Sequence, residues 1–78
     1  MIEKLKVKAI YDDFIKSVML TEEQIKILNM MIKKESIVKM SMEIGVSQRT
    51  ISYEVKKIKK LYSDYCQMQL FRAIMLSE

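Results

Sequence analysis

The stretch SIVKMSMEIGVSQRTISYEVKKI, residues 36–58, contains two helix starts separated by a single glycine. Ser36 is the predicted N-cap residue of a short helix that ends at Gly45, because glycine adopts without steric cost the positive φ that closes a helix. Ser47 is the predicted N-cap residue of the next helix. Val46, between Gly45 and Ser47, is expected to fill the turn between the two helices with its apolar side chain. A helix, a tight glycine turn and a second capped helix are typical of a helix-turn-helix motif.

The rest of the chain also predicts helices. Gly45 is the only glycine and the chain has no proline, so the usual signals of strand turns are missing and the apolar periodicity is helical throughout. Thr21 and Gln24 form a predicted capping box at the start of a helix that runs to about Lys34. We therefore expect an all-α fold, a small helical bundle of about five helices that contains the helix-turn-helix.

The length of 78 residues fits one domain and lies near the lower limit for a core that supports itself. We expect a single domain over residues 1–78, with an N-terminal helix in 1–19, the helix-turn-helix core in 20–61 and a C-terminal helix in 62–78. The C-terminal helix is either continuous with the helix before it or broken near Ser63. The first helix is expected from about residue 2 to residue 18 and carries one apolar stripe, formed by Val7, Ile10, Tyr11, Phe14 and Val18.

The composition excludes several kinds of site. The chain has no histidine and a single cysteine, Cys66, which excludes the usual zinc site and an internal disulfide. It has no nucleophile beside a base, no glycine-rich phosphate loop and no spaced carboxylate pair, so we expect no enzyme and no cofactor. No apolar run reaches the roughly 18 residues of a membrane span, and the first helix lacks the uninterrupted apolar segment of a signal peptide. A cytoplasmic location without membrane contact is expected.

The net charge of +4 is concentrated in one part of the chain. Residues 36–62 carry a net +4, residues 1–35 carry +1 and residues 63–78 carry −1. A local basic patch is typical of proteins that bind polyanions, but a solvated lysine-rich helix face gives the same pattern. The charge distribution alone leaves both interpretations open.

A helical wheel of residues 48–61 separates the apolar side chains from the charged ones. Ile51, Val55 and Ile58 lie within about 40° of one another and form the predicted inward face. The opposite side carries polar and basic residues: Arg49, Ser52, Tyr53, Lys56 and Lys60. No acidic residue lies on that side, which favours a nucleic-acid partner.

A helix that reads DNA lies in the major groove with hydrogen-bonding side chains near its N-terminus. We predict a recognition helix of about residues 48–60 whose base-edge contacts come from Gln48, Arg49, Ser52 and Tyr53. Arg pairs with guanine and Gln with adenine through paired hydrogen bonds, whereas Ser and Tyr discriminate less. Phosphate contacts are predicted for two residues at the helix start and three lysines farther along: Ser47, Thr50, Lys56, Lys57 and Lys60.

The segment from Leu20 to Leu61 resembles the LuxR-type (GerE-like) helix-turn-helix module, and nearly as much region 4 of sigma-70-type factors. Its matching residues are Leu20-Thr21 for the family's opening Leu-Thr, Ile27-Leu28 for its buried pair, Met40-Ser41 for its Ile-Ala, and Ile44-Gly45-Val46-Ser47 with Thr50-Ile51 for its Leu-Gly-Ile-Ser and Thr-Val. The match has no gaps over 42 of the 78 residues. The second half of this pattern is shared by many helix-turn-helix families.

Three positions depart from the family. Gln24 and Lys39 stand where an acidic residue is usual, and Ser41 stands where a small alanine packs against the recognition helix. The segments before Leu20 and after Leu61 do not match the family, so the resemblance implies the mode of DNA reading and not the regulatory context. Together with the basic helix it leads us to expect a sequence-specific, double-stranded DNA-binding transcriptional regulator of bacterial or phage type.

The last helix carries two apolar stripes on nearly opposite sides. One stripe consists of Tyr65, Met68, Phe71 and Met75, and the other of Cys66, Leu70, Ala73 and Ile74. Because one small core cannot bury both, we expect a homodimer, with the second stripe as the candidate dimerisation residues, although the sequence does not decide which stripe faces the partner. LuxR-type domains are similar in that they pair through their last helix.

The alternative function belongs to a different class, a protein-binding adaptor on a helix-turn-helix scaffold. Such a sigma-like or phage-encoded modulator would bind RNA polymerase or another host protein, and its basic helix would be solvated or contact an acidic partner. The expected partners are therefore double-stranded DNA, a second copy of the chain and, for the alternative, RNA polymerase. Binding that weakens steeply with salt would favour DNA.

Overall fold

The computed structural model describes residues 2–76, although the side chains of Ile2, Glu3, Ala73, Ile74 and Leu76 lie outside the described part. These residues form a short 3-10 helix, Ile2–Lys6, followed by four α-helices: α1 (Lys8–Val18), α2 (Glu22–Ile32), α3 (Ile37–Ile44) and α4 (Gln48–Leu76). Residues 2–76 contain no strand. The all-α prediction is confirmed, and the helices pack as a small bundle.

The N-terminal helix differs from its prediction, because α1 begins only at Lys8. Val7 has an extended backbone with φ −79° and ψ 117°, and its side chain is 53% exposed, so Val7 is not part of the buried stripe. Leu5, in the preceding 3-10 helix, is buried instead. The β-branched Val7 tolerates extended backbone well, which suits it to the junction between the two helices. Phe14 is fully buried, as the stripe predicts.

The predicted start of α2 is confirmed by both halves of its capping box. The backbone N–H of Gln24 donates to Thr21 Oγ1 at 3.2 Å, and the backbone N–H of Thr21 donates to Gln24 Oε1 at 3.0 Å. Leu20, just before the cap, is buried, and Ile25 packs against the core. Met19, the C-cap residue of α1, adopts the left-handed conformation with φ 54°, and Leu20 and Thr21 connect it to α2.

The core lies between α4 and the other helices. Its buried members are Leu5, Phe14, Leu20, Ile27, Leu28, Met30, Met40, Ile51, Ile58, Tyr62 and Tyr65. The Phe14 ring meets the Tyr62 and Tyr65 rings edge to face, with centroid distances of 5.3 and 5.4 Å. These aromatic contacts fix α1 against the middle of α4.

The C-terminal helix is a continuation of α4, a single helix of 29 residues. Ser63 lies within it, so α4 has no break there and the C-terminal helix is not a separate element. At 1.5 Å per residue such a helix is about 43 Å long, which accounts for a molecule that measures 49 by 20 by 19 Å. The distal part of α4 therefore projects beyond the bundle.

Two hydrogen bonds connect α1 to α4 through Asp13. Its carboxylate accepts a hydrogen bond from the Tyr65 hydroxyl and another from Gln69 Nε2 at 3.4 Å. The bond to Asp13, helped by burial, raises the pKa of Tyr65 to about 12, because the neutral hydroxyl is the donor and a tyrosinate would face a carboxylate.

Candidate nucleic-acid interface

The turn between α3 and α4 is built by local interactions that the sequence indicates. Ser36 Oγ accepts from the backbone N–H of Lys39 at 3.1 Å and caps α3. At the other end Gly45 has φ 81° and ψ 27°, and its N–H donates to the Ser41 carbonyl at 2.9 Å. A Cβ atom at Gly45 would have no neighbour within 4 Å, so the left-handed φ, rather than lack of space, is what requires glycine here.

Ser41 strengthens this turn in a way that an alanine could not. Its hydroxyl donates to the Val46 carbonyl at 2.5 Å, bridging from α3 to the residue after the glycine. Met40 is buried beside it, and Ile44 and Val46 pack against the core. The hydroxyl therefore satisfies a turn carbonyl that the following helix cannot.

Ser47 caps the start of α4, as predicted. Ser47 Oγ accepts from the backbone N–H of Thr50 at 3.2 Å and lies 3.0 Å from Thr50 Oγ1. In a hydroxyl pair one oxygen donates and the other keeps its own proton for a further acceptor. The pair, placed at the positive end of α4, therefore still has a donor for an external anion.

The predicted contact residues are brought together on the outer side of one helix. Eight of the nine are exposed, namely Ser47, Gln48, Arg49, Thr50, Tyr53, Lys56, Lys57 and Lys60. Ser52 is half-buried, so its short side chain reaches outward least. Ile51 and Ile58 are buried as predicted, and Val55 packs against the core. We call the outer side of residues 47–60 the basic face of α4.

Glu54 is the only acidic residue in residues 47–60, and its carboxylate is directed away from the basic face. Glu54 Oε2 accepts a hydrogen bond from Gln24 Nε2 at 3.3 Å, and both side chains are partly buried. The contact requires a donor at position 24. A carboxylate there would oppose Glu54 instead of donating to it. The sequence pattern does not reveal this contact, which joins residues 30 positions apart.

Lys39 forms an ion pair with Glu35, four positions earlier in the chain. Its Nζ lies 3.1 Å from Glu35 Oε1. The hydrogen bond to Glu35 and the charge of its carboxylate raise the pKa of Lys39. Such an exposed pair contributes little to stability, and its relevance here is that it engages the carboxylate of Glu35.

The candidate dimerisation residues fall into different environments. Cys66 is half-buried and packs against the chain's own core, whereas Leu70 is 64% exposed. The side chains of Ala73 and Ile74 lie outside the described residues. The other stripe divides in the same way, since Tyr65 is a core residue and the distal members Met68, Phe71 and Met75 are exposed. Position along α4, more than the side of the helix, decides which apolar residues remain accessible.

Two further properties concern the described part of the chain only. Within it, no three His, Cys, Asp or Glu residues are grouped so that they could hold a metal ion. No helix among residues 2–76 has the length and apolar character needed to cross a membrane.

No protein-family profile, curated protein or solved structure matches the chain. The resemblance to LuxR-type and sigma region 4 modules therefore stays a prediction that depends on the residues quoted for it.

Proposed function

We propose that α3, the Gly45 turn and α4 form a helix-turn-helix, and that the protein is a sequence-specific, double-stranded DNA-binding transcriptional regulator of bacterial or phage type. The observation that carries the proposal is the exposed basic face of α4, in which the carboxylate of Glu54, the only acidic residue of residues 47–60, is held by Gln24. A cationic surface without acidic side chains is what the phosphate backbone requires. We expect the protein to act in the cytoplasm.

In this proposal the N-terminal part of α4 lies in the major groove. Gln48, Arg49 and Tyr53 reach base edges, because they are exposed and lie within the first two turns of the helix. Ser52 contributes less, because it is half-buried. The phosphate contacts come from the hydroxyl pair at the helix start and from the three lysines farther along: Ser47, Thr50, Lys56, Lys57 and Lys60.

We further propose that the protein acts as a homodimer, paired through the distal part of α4. Met68, Leu70, Phe71 and Met75 are 58 to 64% exposed there, and burying them would remove apolar surface from water. In a twofold dimer the two recognition helices would enter successive major grooves about 34 Å apart, which predicts a near-palindromic site.

The experiment that tests DNA binding is selection from random duplexes, followed by a salt titration of the selected duplex by fluorescence anisotropy. Neutralising one phosphate contributes about −0.9 to the slope of log K against log salt, so the three proposed lysine contacts of each subunit predict about −2.7 per subunit and about −5.4 for the dimer. A slope near zero, or no enriched sequence, would refute the proposal.

A second candidate function is a protein-binding adaptor, for which RNA polymerase is the candidate partner. The same exposed apolar residues of distal α4 favour it, because exposed apolar patches commonly mark contacts with other proteins. In that case the basic face would be solvated, and the protein would show no sequence preference for DNA.

A further inference from the structure

A cavity of about 340 Å³ opens between the 3-10 helix, α2, α3 and α4. Apolar side chains from three of these helices form its floor: Met31, Ile32, Ile37, Met40 and Val55. Lysines from three separate parts of the chain stand at its mouth: Lys6, Lys34 and Lys59. We call it the lysine-rimmed cavity. Its volume lies within the range of pockets that hold small ligands, which is about 300 to 1,000 Å³.

The apolar floor of the cavity favours a ligand with an apolar body. Met40 is buried, and Met31, Ile32 and Val55 are half-buried, so these side chains form a continuous apolar surface. Among the described residues no buried side-chain nitrogen or oxygen atom lacks a hydrogen-bond partner. A polar ligand would therefore find no unsatisfied group in the floor and would lose its own hydration. Methionine side chains adapt readily to the shape of a ligand.

The lysines at the mouth of the cavity favour a ligand with a negative charge. All three rim lysines are exposed, and they come from the 3-10 helix, the turn after α2 and α4. Among the residues whose side chains the structure describes, Glu35 is the only acidic one that lines the cavity, and its carboxylate is paired with Lys39 at 3.1 Å. The described rim therefore carries an excess of positive charge.

The backbone at Lys34 holds that residue at the mouth. Lys34 adopts a left-handed conformation with φ 60°, which is uncommon for a residue other than glycine. Two bonds close this turn, from Lys34 N–H to the Met31 carbonyl at 2.9 Å and from Glu35 N–H to the Met30 carbonyl at 3.0 Å. An adjoining open depression shares Lys6 and Lys34 and adds two more lysines, which extends the positive surface.

We propose that the lysine-rimmed cavity binds a small amphipathic anion, an aliphatic chain that ends in a carboxylate. The chain covers the apolar floor and the carboxylate lies among the three lysines. A phosphodiester backbone does not fit this description, because it has no apolar body to cover the floor. The inference is independent of the DNA-binding proposal, since it depends on a different surface.

The test uses the full chain labelled with ¹³C at the methionine methyl groups and titrated with sodium decanoate below its micelle concentration. We expect saturable NMR shifts of the methyl groups of Met31 and Met40, which line the cavity. The methyl groups of Met19 and Met42, which are 84% and 79% exposed and do not line it, should stay in place. Decanol and decyltrimethylammonium should bind at least about fivefold more weakly, because neither carries the negative charge that the lysines attract.

Matched charge reversals test the rim. Lys34→Glu and Lys59→Glu should each weaken decanoate binding by about fivefold or more. Lys26→Glu is the control, because Lys26 is an exposed lysine of α2 that does not line the cavity, and it should leave the affinity unchanged. Ile37→Trp, at a residue already 37% exposed, should fill the cavity and abolish the shifts while leaving the circular dichroism spectrum intact.

Three outcomes would overturn the proposal. One is the absence of saturable shifts at Met31 and Met40. Another is an equal response of Met68 and Met75, which would mean that decanoate adsorbs to any exposed apolar surface. The third is equally tight binding of the decyl cation, because this would contradict a site for anions.

Discussion

Gln24 and Glu54 provide a test of how α2 is attached to α4. The substitution Gln24→Glu keeps the acceptor oxygen that caps Thr21, so the capping box can survive. It removes the amide that donates to Glu54 at 3.3 Å and places a second carboxylate there. The variant therefore changes the α2–α4 contact and little else.

The magnitude follows from the geometry of that contact. A hydrogen bond to a charged group contributes about 1.5 to 3 kcal/mol, and a length of 3.3 Å with partial exposure lowers this to about 1 kcal/mol. Repulsion between the two carboxylates costs about 1 kcal/mol more at this distance in a water-like dielectric. The negative charge gains about 0.5 kcal/mol at the N-terminus of α2. We expect a net loss of about 1.5 kcal/mol in the free energy of unfolding.

The assay is urea unfolding followed by circular dichroism, applied to a double-mutant cycle. Glu54→Gln alone should cost about 0.5 kcal/mol, because it removes only the charge of the acceptor. In the double variant Gln24→Glu with Glu54→Gln, the amide and the carboxylate have exchanged places, so the hydrogen bond can form again. Because the double variant should recover both single losses, of about 1.5 and 0.5 kcal/mol, the coupling between the two substitutions should be favourable by about 2 kcal/mol. A coupling within about 0.5 kcal/mol of zero would refute the contact.

Three other predictions concern separate parts of the molecule. Asp13→Asn should lower the pKa of Tyr65 from about 12 toward the ordinary value of 10, as measured by ultraviolet titration. Because folding raises the pKa of Tyr65, the wild-type protein should lose stability as the pH rises from about 10 to about 12. Arg49→Ala should cost roughly 1 to 3 kcal/mol in binding to a selected duplex and relax its sequence preference, whereas Lys56→Ala should weaken binding to all sequences alike. Phe71→Glu, at a residue 64% exposed, should halve the sedimentation mass of the proposed dimer while leaving the helix content unchanged.

Two of these predictions have a matched control substitution. Asp12→Asn neutralises the exposed neighbouring carboxylate and should leave the Tyr65 titration in place. Gln67→Glu adds the same charge to α4 at an exposed residue outside the apolar stripes and should leave the mass unchanged. If Arg49→Ala bound random and selected DNA as wild type does, Arg49 would not be a base contact. A monomeric wild type would contradict the dimer directly.

Local features of the fold were predictable from the sequence because the interactions that create them are local. The caps at Thr21, Ser36 and Ser47 each join residues three positions apart, and Gly45 adopts its φ without help from a distant residue. The inward positions of α4 followed from helical periodicity, and Ile51 and Ile58 are buried accordingly.

Features that depend on packing between distant residues were not predictable. The contact of Tyr65 with Asp13 joins residues 52 positions apart, and nothing in the pattern of either helix indicates it. The stripe including Val7 predicted a helix from about residue 2, but α1 starts at Lys8, where the chain leaves the 3-10 helix. The two apolar stripes of the last helix could be recognised in the sequence. Which of their residues are buried could not, because that depends on how far α1 extends along α4. For the basic face, the sequence predicted which residues lie together, and the role of Gln24 in holding Glu54 aside required the structure.

Because α4 is one uninterrupted helix, side chains near its C-terminus keep a fixed direction around the helix axis relative to side chains near its N-terminus. Each residue of a helix adds about 100° of rotation and 1.5 Å of length, so the direction of Phe71 relative to Arg49 is set by the number of residues between them. Deleting one residue after Gln69 would turn the apolar tail by about 100° while the core and the basic face stayed in place. In the proposed dimer this would turn the two reading ends away from a shared face of the duplex. A change in the length of α4 would therefore misalign the proposed dimer even if every exposed apolar side chain beyond Gln69 were kept.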